Sequence, residues 1–511
     1  MPKDRVVIVG AGVAGLISAF ALAARGLDVT VLERRDAPGG KMRQIAIGPA
    51  QIDSGPTVFT MRWVFDELFA AAGRSFSDHV RLQPLETLAR HAWDEDCRLD
   101  LFADEERAID AIGGFAGAAE ADGYRAFCRD TRRIYEILEK PFLRAPQASM
   151  SGLISAGGLR GLMRLPQIKP FSSMWSALGQ YFRDPRLQQL FGRYATYCGS
   201  SPYLAPATLM LVAHVERSGV WSIEGGMHAL ALALADGAKS FGATIRTSQE
   251  VSEILIDRGR ACGARLANGE RIEADAVIVN ADAAAVAGGL FGVNVRRGAA
   301  VTSQRTRSLS AITWSVVAKT NGFPLSLHNV FFSRNYQAEF DDIFRHDTLP
   351  NEPTVYVCAQ DRCGAEPSGG AERLLVLVNA PANGDRHSYE AAEVEQCAQR
   401  TFRTLERCGL HIQRLPETTE VTTPGDFNKL FPATGGALYG RSSHGWTASF
   451  QRPGARTKIP GLYLAGGSTH PGPGVPMAAL SGRSAASSLL ADLTSHGWSS
   501  PTAMPGGTSM R

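Results

Sequence analysis

The sequence has little net charge and few cysteines, and both shortages narrow the possible functions. Its 511 residues carry a formal net charge of +3, and the lysines and arginines form no long block. This charge is too small for a protein that binds nucleic acid by electrostatic attraction. The eight cysteines are scattered, without a CxxC pair or the spacing of a zinc site. We therefore expect reduced thiols in a protein that faces the cytoplasm, and no bound metal.

Long uncharged apolar runs are also scarce. Residues 6–24 approach the length of a membrane span or of a secretory signal, and they follow Lys3 and Arg5. The glycines inside this run, Gly10, Gly12 and Gly15, fit a strand that turns into a helix better than one continuous helix. We therefore expect no transmembrane helix.

The same glycines form the fingerprint of a dinucleotide-binding βαβ unit, with a predicted strand, helix and second strand at Arg5–Val9, Leu16–Arg25 and Leu27–Glu33. Gly10 permits the tight turn, Gly12 lets the backbone approach a pyrophosphate, and Gly15 lets the helix pack closely on the strand. Free N–H groups at the helix start attract the phosphates. The Glu33 carboxylate accepts hydrogen bonds from the ribose hydroxyls and would repel a 2′-phosphate, which argues against NADP.

Two segments that follow Glu33 indicate which dinucleotide is bound. They are Asp36-Ala37-Pro38-Gly39-Gly40-Lys41 and Asp53-Ser54-Gly55-Pro56-Thr57. This order of motifs resembles the amine oxidase and carotenoid desaturase group of flavoproteins. The resemblance implies an FAD cofactor, with contacts from Gly39, Gly40 and Lys41 and, near the isoalloxazine ring, from Gly55, Pro56 and Thr57.

A third glycine pair, Gly225-Gly226, precedes a helix predicted at His228–Phe241 and several short strands that end with Ala276–Val279. In the resembling family this block returns to the FAD domain, and the residue that matches Val251 lies beside the adenine. The alternative is a βαβ segment without ligand contact.

The C-terminal segment Gly461–Met477 runs from a predicted strand through a glycine turn to a helix predicted from Ala478 to about Leu493. A helix start directed at the pyrimidine end of the flavin would stabilise the reduced, anionic ring. Many flavoproteins of this superfamily have Gly-Asp at Gly466-Gly467, and the version without Asp resembles the carotenoid desaturases. Ser468 or backbone N–H groups are expected to replace the missing carboxylate. The residues expected to contact FAD here are Gly466, Gly467, Ser468, Gly474, Val475, Pro476 and Met477.

These segments predict an α/β fold in which a Rossmann-type FAD-binding domain of the amine oxidase and carotenoid desaturase superfamily is combined with a mixed α+β substrate domain. The FAD domain is expected to be discontinuous, at residues 1–75, 215–290 and 430–495. The rest of the chain divides into a mostly helical substrate and membrane region, a sheet-based substrate domain and a disordered tail, at residues 76–214, 291–429 and 496–511.

Removal of two hydrogens from a hydrocarbon requires a flavin that takes a hydride and a group that takes a proton. Glu224 is the preferred proton acceptor, because the glycine turn that follows it is expected to face the flavin. Further candidates are Asp53, His214, His444 and His470, each of which could instead be a packing or capping residue. The reduced flavin is expected to pass its electrons to oxygen or to a quinone.

Two segments predict how a carotenoid reaches the flavin. Residues 193–206 resemble the segment beside the substrate tunnel of carotenoid desaturases. Residues 149–182 combine apolar side chains with Arg160, Arg164 and Lys169 and contain no acid. Such a surface is typical of peripheral attachment to a membrane, here on its cytoplasmic side, and the alternative is an ordinary helix pair in the core.

Within the family, residues 197–216 and 475–482 resemble the hydroxyneurosporene (methoxyneurosporene) desaturases. That branch introduces the 3,4 double bond into 1-hydroxy or 1-methoxy carotenoids of the spheroidene pathway. A phytoene desaturase would share every motif, and a carotenoid isomerase would use reduced flavin without net oxidation. Rab escort and GDI-type proteins have this fold as lipid-binding modules without catalysis, but the nearly complete flavin fingerprint favours an enzyme.

Overall fold

A parallel sheet assembled from distant parts of the chain organises the nucleotide-binding half. The computed structural model describes residues 4–147, 165–362 and 370–497. In spatial order the strands of this sheet are Thr244–Arg246, Asp28–Leu32, Arg5–Val9, Ala276–Val279 and Leu462–Leu464. Their apolar runs are buried because both faces of the sheet are covered.

Helices cover one face of the parallel sheet. They are Val13–Ala23, Met227–Ser240 and Val475–Gly497. These helices pack closely because small residues lie between them: a Cβ at Gly482 would meet the Ala14 carbonyl oxygen at 2.3 Å, and one at Gly237 would meet the Phe20 ring at 2.6 Å. On the other face, Val7, Val9 and Val279 pack against an antiparallel sheet of Val251–Asp257, Arg260–Leu266 and Arg271–Glu273.

A mixed sheet forms the second half of the molecule. In spatial order its strands are Thr419–Thr422, Ser310–Ala318, Glu372–Ala380, Val355–Ala359, His328–Phe331, Thr87–Asp94 and Cys97–Phe102. Its last two strands form a hairpin from the region predicted as mostly helical, and that prediction missed them. Thr87–Asp94 contains Arg90 and His91 and does not alternate strictly between buried and exposed positions, so its pattern gives a weak strand signal.

Two helical layers cover the mixed sheet. Ala391–Arg407 packs on one face, against residues such as Trp314 and Val376. The other face meets the parallel-sheet half and a group of helices at Glu105–Ala116, Ala118–Leu138, Met174–Leu178, Pro185–Gly192 and Leu211–Arg217.

Short elements connect these layers. The helices among them are Trp63–Ala71, Ala283–Gly288, Tyr336–Asp341 and Pro424–Leu430. The strands are Gln44–Ile47, Ala50–Asp53, Phe59–Thr60, Leu82–Pro84, Val220–Ile223, Thr320–Asn321 and His411–Ile412.

Some predictions concern residues outside the ranges that the structure describes. The C-terminal helix continues to Gly497, slightly past the predicted start of the tail, and residues 498–511 lie outside the described residues. Residues 149–164 of the predicted membrane segment lie outside them too. Over the ranges that the structure describes, no helix is both long enough and apolar enough to cross a membrane.

Candidate active site

The turn after the first strand leaves no room for side chains. Gly10 has φ +95°, and a Cβ there would lie 2.7 Å from the Asn280 carbonyl oxygen. A Cβ at Gly12 would lie 2.8 Å from the Asn280 side-chain oxygen, and one at Gly15 would lie 2.1 Å from the Gly10 carbonyl oxygen. The turn is therefore a bare backbone cradle at the start of helix Val13–Ala23, which suits a pyrophosphate.

Glu33 is held rigidly at the end of the second strand. Its side chain is buried, and its two oxygens accept hydrogen bonds from the backbone N–H groups of Ala11, at 2.7 Å, and Arg35, at 2.9 Å. Each oxygen keeps further lone pairs, so the carboxylate can still accept from ribose hydroxyls.

The second glycine turn lies directly against the first. The Gly39 N–H donates to the Ala11 carbonyl at 2.9 Å, and a Cβ at Gly40 would come within 3.0 Å of the Gly12 Cα. Lys41 follows, and its ammonium donates to the Leu438 carbonyl at 2.5 Å. Burial lowers the pKa of Lys41, while the nearby Asp282 carboxylate opposes that shift.

Asn280 connects the segments that meet here, and the sequence interpretation did not select it. Its side-chain oxygen accepts from the Gly15 N–H at 3.0 Å, and its amide donates to the Ala465 carbonyl at 3.0 Å. The available signal was its position: Asn280 directly follows the buried strand Ala276–Val279, at the carboxyl edge of the sheet where α/β proteins bind ligands.

Together these segments enclose a cavity of about 350 Å³. Most of the predicted FAD contacts line it: Gly10, Gly12, Glu33, Gly39, Gly40, Lys41, Gly55, Pro56, Val251, Gly466, Gly467, Ser468, Gly474 and Val475. The others are nearby but outside the lining: Gly15 packs under the first turn, Thr57 bonds to Tyr356, and Pro476 and Met477 lie in the first turn of the C-terminal helix.

The remaining wall of the cavity comes from the mixed sheet, within the sheet-based domain expected at residues 291–429, and from the segment after it; the sequence interpretation named none of its side chains. Its members, mainly apolar or aromatic, include Thr313, Leu375, Leu377, Phe427, Phe431, Leu438 and Tyr439. The cavity thus has a backbone-lined polar side and an apolar side, as a nucleotide joined to a flat ring system requires.

The structure does not support Glu224 as the proton acceptor. Its side chain is 68% exposed, pairs with the Arg81 guanidinium at 3.5 Å, and is absent from the cavity lining. The glycine turn after Glu224 instead leads to Asp53. The buried Asp53 carboxylate accepts from the N–H groups of Met227, at 2.6 Å, and His228, at 3.3 Å, and so caps the helix Met227–Ser240. Burial raises the pKa of Asp53, and these N–H groups oppose the shift.

The three histidine candidates also lie outside the cavity lining, and each has a structural role. His444 Nε2 accepts from the Ser201 N–H at 3.0 Å, and burial lowers its pKa to about 4. The His214 ring lies 5.0 Å from the Tyr135 ring in a tilted arrangement, and burial together with Arg217 lowers the pKa of His214 to about 4. His470 Nε2 donates to the Phe142 carbonyl at 2.8 Å.

A buried polar cluster begins in the segment predicted to border the substrate tunnel. The hydroxyls of Tyr194 and Tyr197 both donate to the Glu216 carboxylate, the second at 2.7 Å. The Arg193 guanidinium donates to the Tyr197 oxygen at 3.3 Å. The sequence indicated this segment, but not its partner Glu216.

Comparison with known proteins identifies the family. A model of the flavin-containing amine oxidoreductases matches residues 13–490. The chain belongs to this family. The flavin of the family confirms the predicted FAD cofactor.

Curated relatives confirm the resemblance to carotenoid desaturases. The chain is 55% identical to hydroxyneurosporene desaturase from Rubrivivax gelatinosus, over 99% of this chain and 97% of the relative. It is 44% identical to hydroxyneurosporene desaturase from Cereibacter sphaeroides, over 96% of this chain and 98% of the relative. It is 30% identical to 1-hydroxycarotenoid 3,4-desaturase from Flavobacterium sp., over 94% and 97%.

Solved structures of two oxidases share the fold. Cyclohexylamine oxidase from Brevibacterium oxydans gives a TM-score of 0.56 at 15% identity, over 96% of this chain and all 100% of that one. Putrescine oxidase gives a TM-score of 0.58 at 14% identity, over 96% of this chain and 99% of that one. They confirm the predicted α/β fold class.

Proposed function

We propose that this protein is an FAD-dependent carotenoid desaturase that forms the C-3,4 double bond of 1-hydroxy or 1-methoxy carotenoids of the neurosporene type, in spheroidene biosynthesis. The observation that carries this proposal is the 55% identity to hydroxyneurosporene desaturase along 99% of the chain. The cavity supports it, because a backbone cradle for a dinucleotide faces an apolar wall.

The residues of the cavity fit FAD. The crowded Gly10, Gly12 and Gly40 backbones would hold the pyrophosphate, and Glu33 would hold the ribose of the adenosine half. The first turn of the C-terminal helix, at Gly474 and Val475, would face the ring system with its partial positive charge. When bound, FAD supplies an acceptor for the hydride, so that the second hydrogen leaves the substrate as a proton.

The apolar wall would position the substrate for this hydride transfer. Leu375 and Leu377 on the mixed sheet, with Tyr439, give a hydrocarbon chain a surface that excludes water and restricts its orientation. We propose oxygen or a quinone as the acceptor that reoxidises the enzyme after each turnover.

An exposed apolar patch supports peripheral attachment to the cytoplasmic face of a membrane. It consists of Phe171, Leu204 and Trp446, which are 81%, 49% and 44% exposed. The rings of Phe171 and Trp446 lie 5.5 Å apart, and the Leu204 carbonyl accepts from the Gly445 N–H at 3.0 Å. Such a patch inserts readily into a lipid interface, where a carotenoid is dissolved.

Vesicle flotation tests this attachment. A Phe171→Ser/Trp446→Ser variant is expected to leave the vesicle fraction, whereas Val293→Ser, which removes an exposed apolar side chain elsewhere, is expected to float like the wild type. Equal flotation of both variants would contradict a role of the patch.

Pigment analysis after parallel co-expression with phytoene and with 1-hydroxyneurosporene pathways tests the reaction itself. We expect the hydroxylated carotenoid alone to gain a double bond, with absorption at longer wavelength. Consumption of phytoene would agree with a carotenoid desaturase but would contradict the assignment to hydroxylated or methoxylated substrates. A product of unchanged hydrogen content would indicate an isomerase, and FAD binding without any pigment change would favour a lipid-binding protein.

A further inference from the structure

The face of the mixed sheet that borders the cavity continues into a polar region. Leu375 and Leu377 line the cavity, and their direct partners on the adjacent strand are Cys358 and Tyr356. On the following strand, His328 lies opposite Cys358. Since directly paired residues project to the same face of a sheet, Tyr356 and His328 face the same side as the two leucines.

Hydrogen bonds join this region to the edge of the cavity. Thr57 directly follows Gly55 and Pro56, which line the cavity, and its hydroxyl lies 2.7 Å from the Tyr356 hydroxyl. The same Tyr356 hydroxyl lies 2.7 Å from His328 Nδ1, and the two rings are stacked. The chain Thr57–Tyr356–His328 therefore leads from the cavity edge to a buried imidazole.

Hydrogen-bonding atoms at the far end of this series of hydrogen bonds lack partners. Within the described ranges, the buried atoms His328 Nε2 and Arg193 Nε have no hydrogen-bond partner. His328 is 3% exposed and Arg193 is 9% exposed. Burial, with a contribution from the Arg193 charge, lowers the pKa of His328 to about 3, so the imidazole is neutral. Buried polar atoms normally have partners, and these two groups lie close enough for the Arg193 charge to act on His328, so their two free atoms indicate a ligand that supplies the missing partner.

We propose that His328 Nε2, supported by the Arg193 guanidinium, binds the oxygen at C-1 of the carotenoid and so selects oxygenated over hydrocarbon end groups. This proposal rests on the proposed function and specifies how its substrate is chosen.

The position suits 3,4 desaturation. The C-1 oxygen is separated from C-3 by three single bonds of ~1.5 Å each, which limits the distance between them to roughly 4 Å. A group that binds this oxygen must therefore lie beside the reacting carbons. The short chain from Thr57 to His328 begins at the segment expected near the isoalloxazine ring.

The chemistry suits both kinds of end group. When the Tyr356 hydroxyl donates to Nδ1, the neutral imidazole carries its proton on Nε2 and becomes a donor, as the Arg193 Nε–H group always is. A hydroxyl and a methyl ether can both accept a hydrogen bond. A hydrocarbon end cannot, and it would leave both buried donors unpaired, which is the arrangement that rejects an analogue most strongly.

Two substitutions at His328 distinguish the roles of its two ring nitrogens. In His328→Asn the amide can replace Nδ1 and keep the Tyr356 contact, whereas in His328→Gln it can replace Nε2. Dissociation constants of the FAD-loaded enzyme for 1-hydroxyneurosporene and for neurosporene would be measured by tryptophan quenching, and turnover would be measured on the hydroxylated substrate. We expect His328→Asn to weaken binding of the hydroxylated carotenoid about 10- to 100-fold with unchanged neurosporene binding. His328→Gln should retain most of the preference for 1-hydroxyneurosporene over neurosporene.

Equal losses for both carotenoids, or no loss in His328→Asn, would overturn the proposal. A Tyr389→Phe variant, which removes a tyrosine hydroxyl bonded to Asn383 on the other side of the sheet, controls for general loss of packing. If the wild type binds the hydroxylated carotenoid selectively but does not desaturate it, the proposed function fails while the binding ratio still decides the role of His328.

Discussion

The two sides of the cavity are built by different means. The cofactor side is made of backbone: glycine turns in which a single Cβ would collide with a carbonyl oxygen, as at Gly10 and Gly15. The substrate side is made of side chains on adjacent strands, such as Thr313, Leu375 and Leu377. A backbone site tolerates almost no substitution, whereas a side-chain site can be changed one property at a time. Cofactor binding should therefore fail abruptly and substrate selection gradually.

The largest effect should come from Gly15→Val. A Cβ at this position would lie 2.1 Å from the Gly10 carbonyl oxygen, which is fixed backbone, so the first turn must open. We expect a protein without bound FAD and with a clearly lower Tm, measured by absorbance and by thermal unfolding. The matched control is Gly114→Ala, where no atom lies near the added Cβ, and a similar loss there would contradict the packing argument.

On the substrate side, Glu339 should make stability depend on pH. Burial raises its pKa from 4.5 to about 7, while Thr354 and Asn379 donate to its oxygens at 3.0 Å. The folded state thus holds a proton that the unfolded chain releases, so the stabilisation is complete below pH 4.5 and is lost as pH rises through about 7. Across this pH window the unfolding free energy should fall by about 3 kcal/mol.

Denaturant unfolding of wild type and Glu339→Gln across this window measures the effect. The variant should lack the fall in unfolding free energy, since its amide cannot ionise. Glu86→Gln, which alters an 85% exposed carboxylate, should keep the wild-type slope. Parallel slopes for wild type and Glu339→Gln would contradict the assignment.

Glu33→Ala should weaken FAD binding by about 2 kcal/mol, or roughly 30-fold, because a buried acceptor for charged hydrogen bonds is lost. We expect the purified variant to lose its yellow colour on dilution. Stoichiometric FAD in the variant after gel filtration would exclude the proposed ribose contact.

The smallest effect should come from Glu224→Gln. Its carboxylate forms only an exposed pair with Arg81, and such pairs contribute little. Turnover should change by less than about 2-fold, and a loss of several orders of magnitude would restore Glu224 as the proton acceptor.

Sequence reasoning reached the cofactor side because its constraints are local. The glycine spacing, the acid after the second strand and the strand Ala276–Val279 are each readable within a few residues, and the structure has that strand with the predicted bounds. A sheet-based domain at residues 291–429 was predicted, but neither Asn280 nor the side chains of the mixed-sheet wall were, because each depends on strand pairing across hundreds of residues. The choice of Glu224 had the same basis of local sequence: the turn after it does approach a buried carboxylate, but that carboxylate is Asp53, which caps a helix.

The bonds of the Asn280 side chain also have a consequence for biosynthesis. They join a residue near the start of the chain, Gly15, to one near its end, Ala465, and the helix start at Gly474 and Val475 borders the same cavity. Ribosomes make residues 465–475 last among these parts, so a nascent chain lacks part of the cofactor cradle until these residues have been made. Loading of FAD is then a late event, and cells short of flavin should accumulate finished polypeptide in the apo form instead of truncated chains.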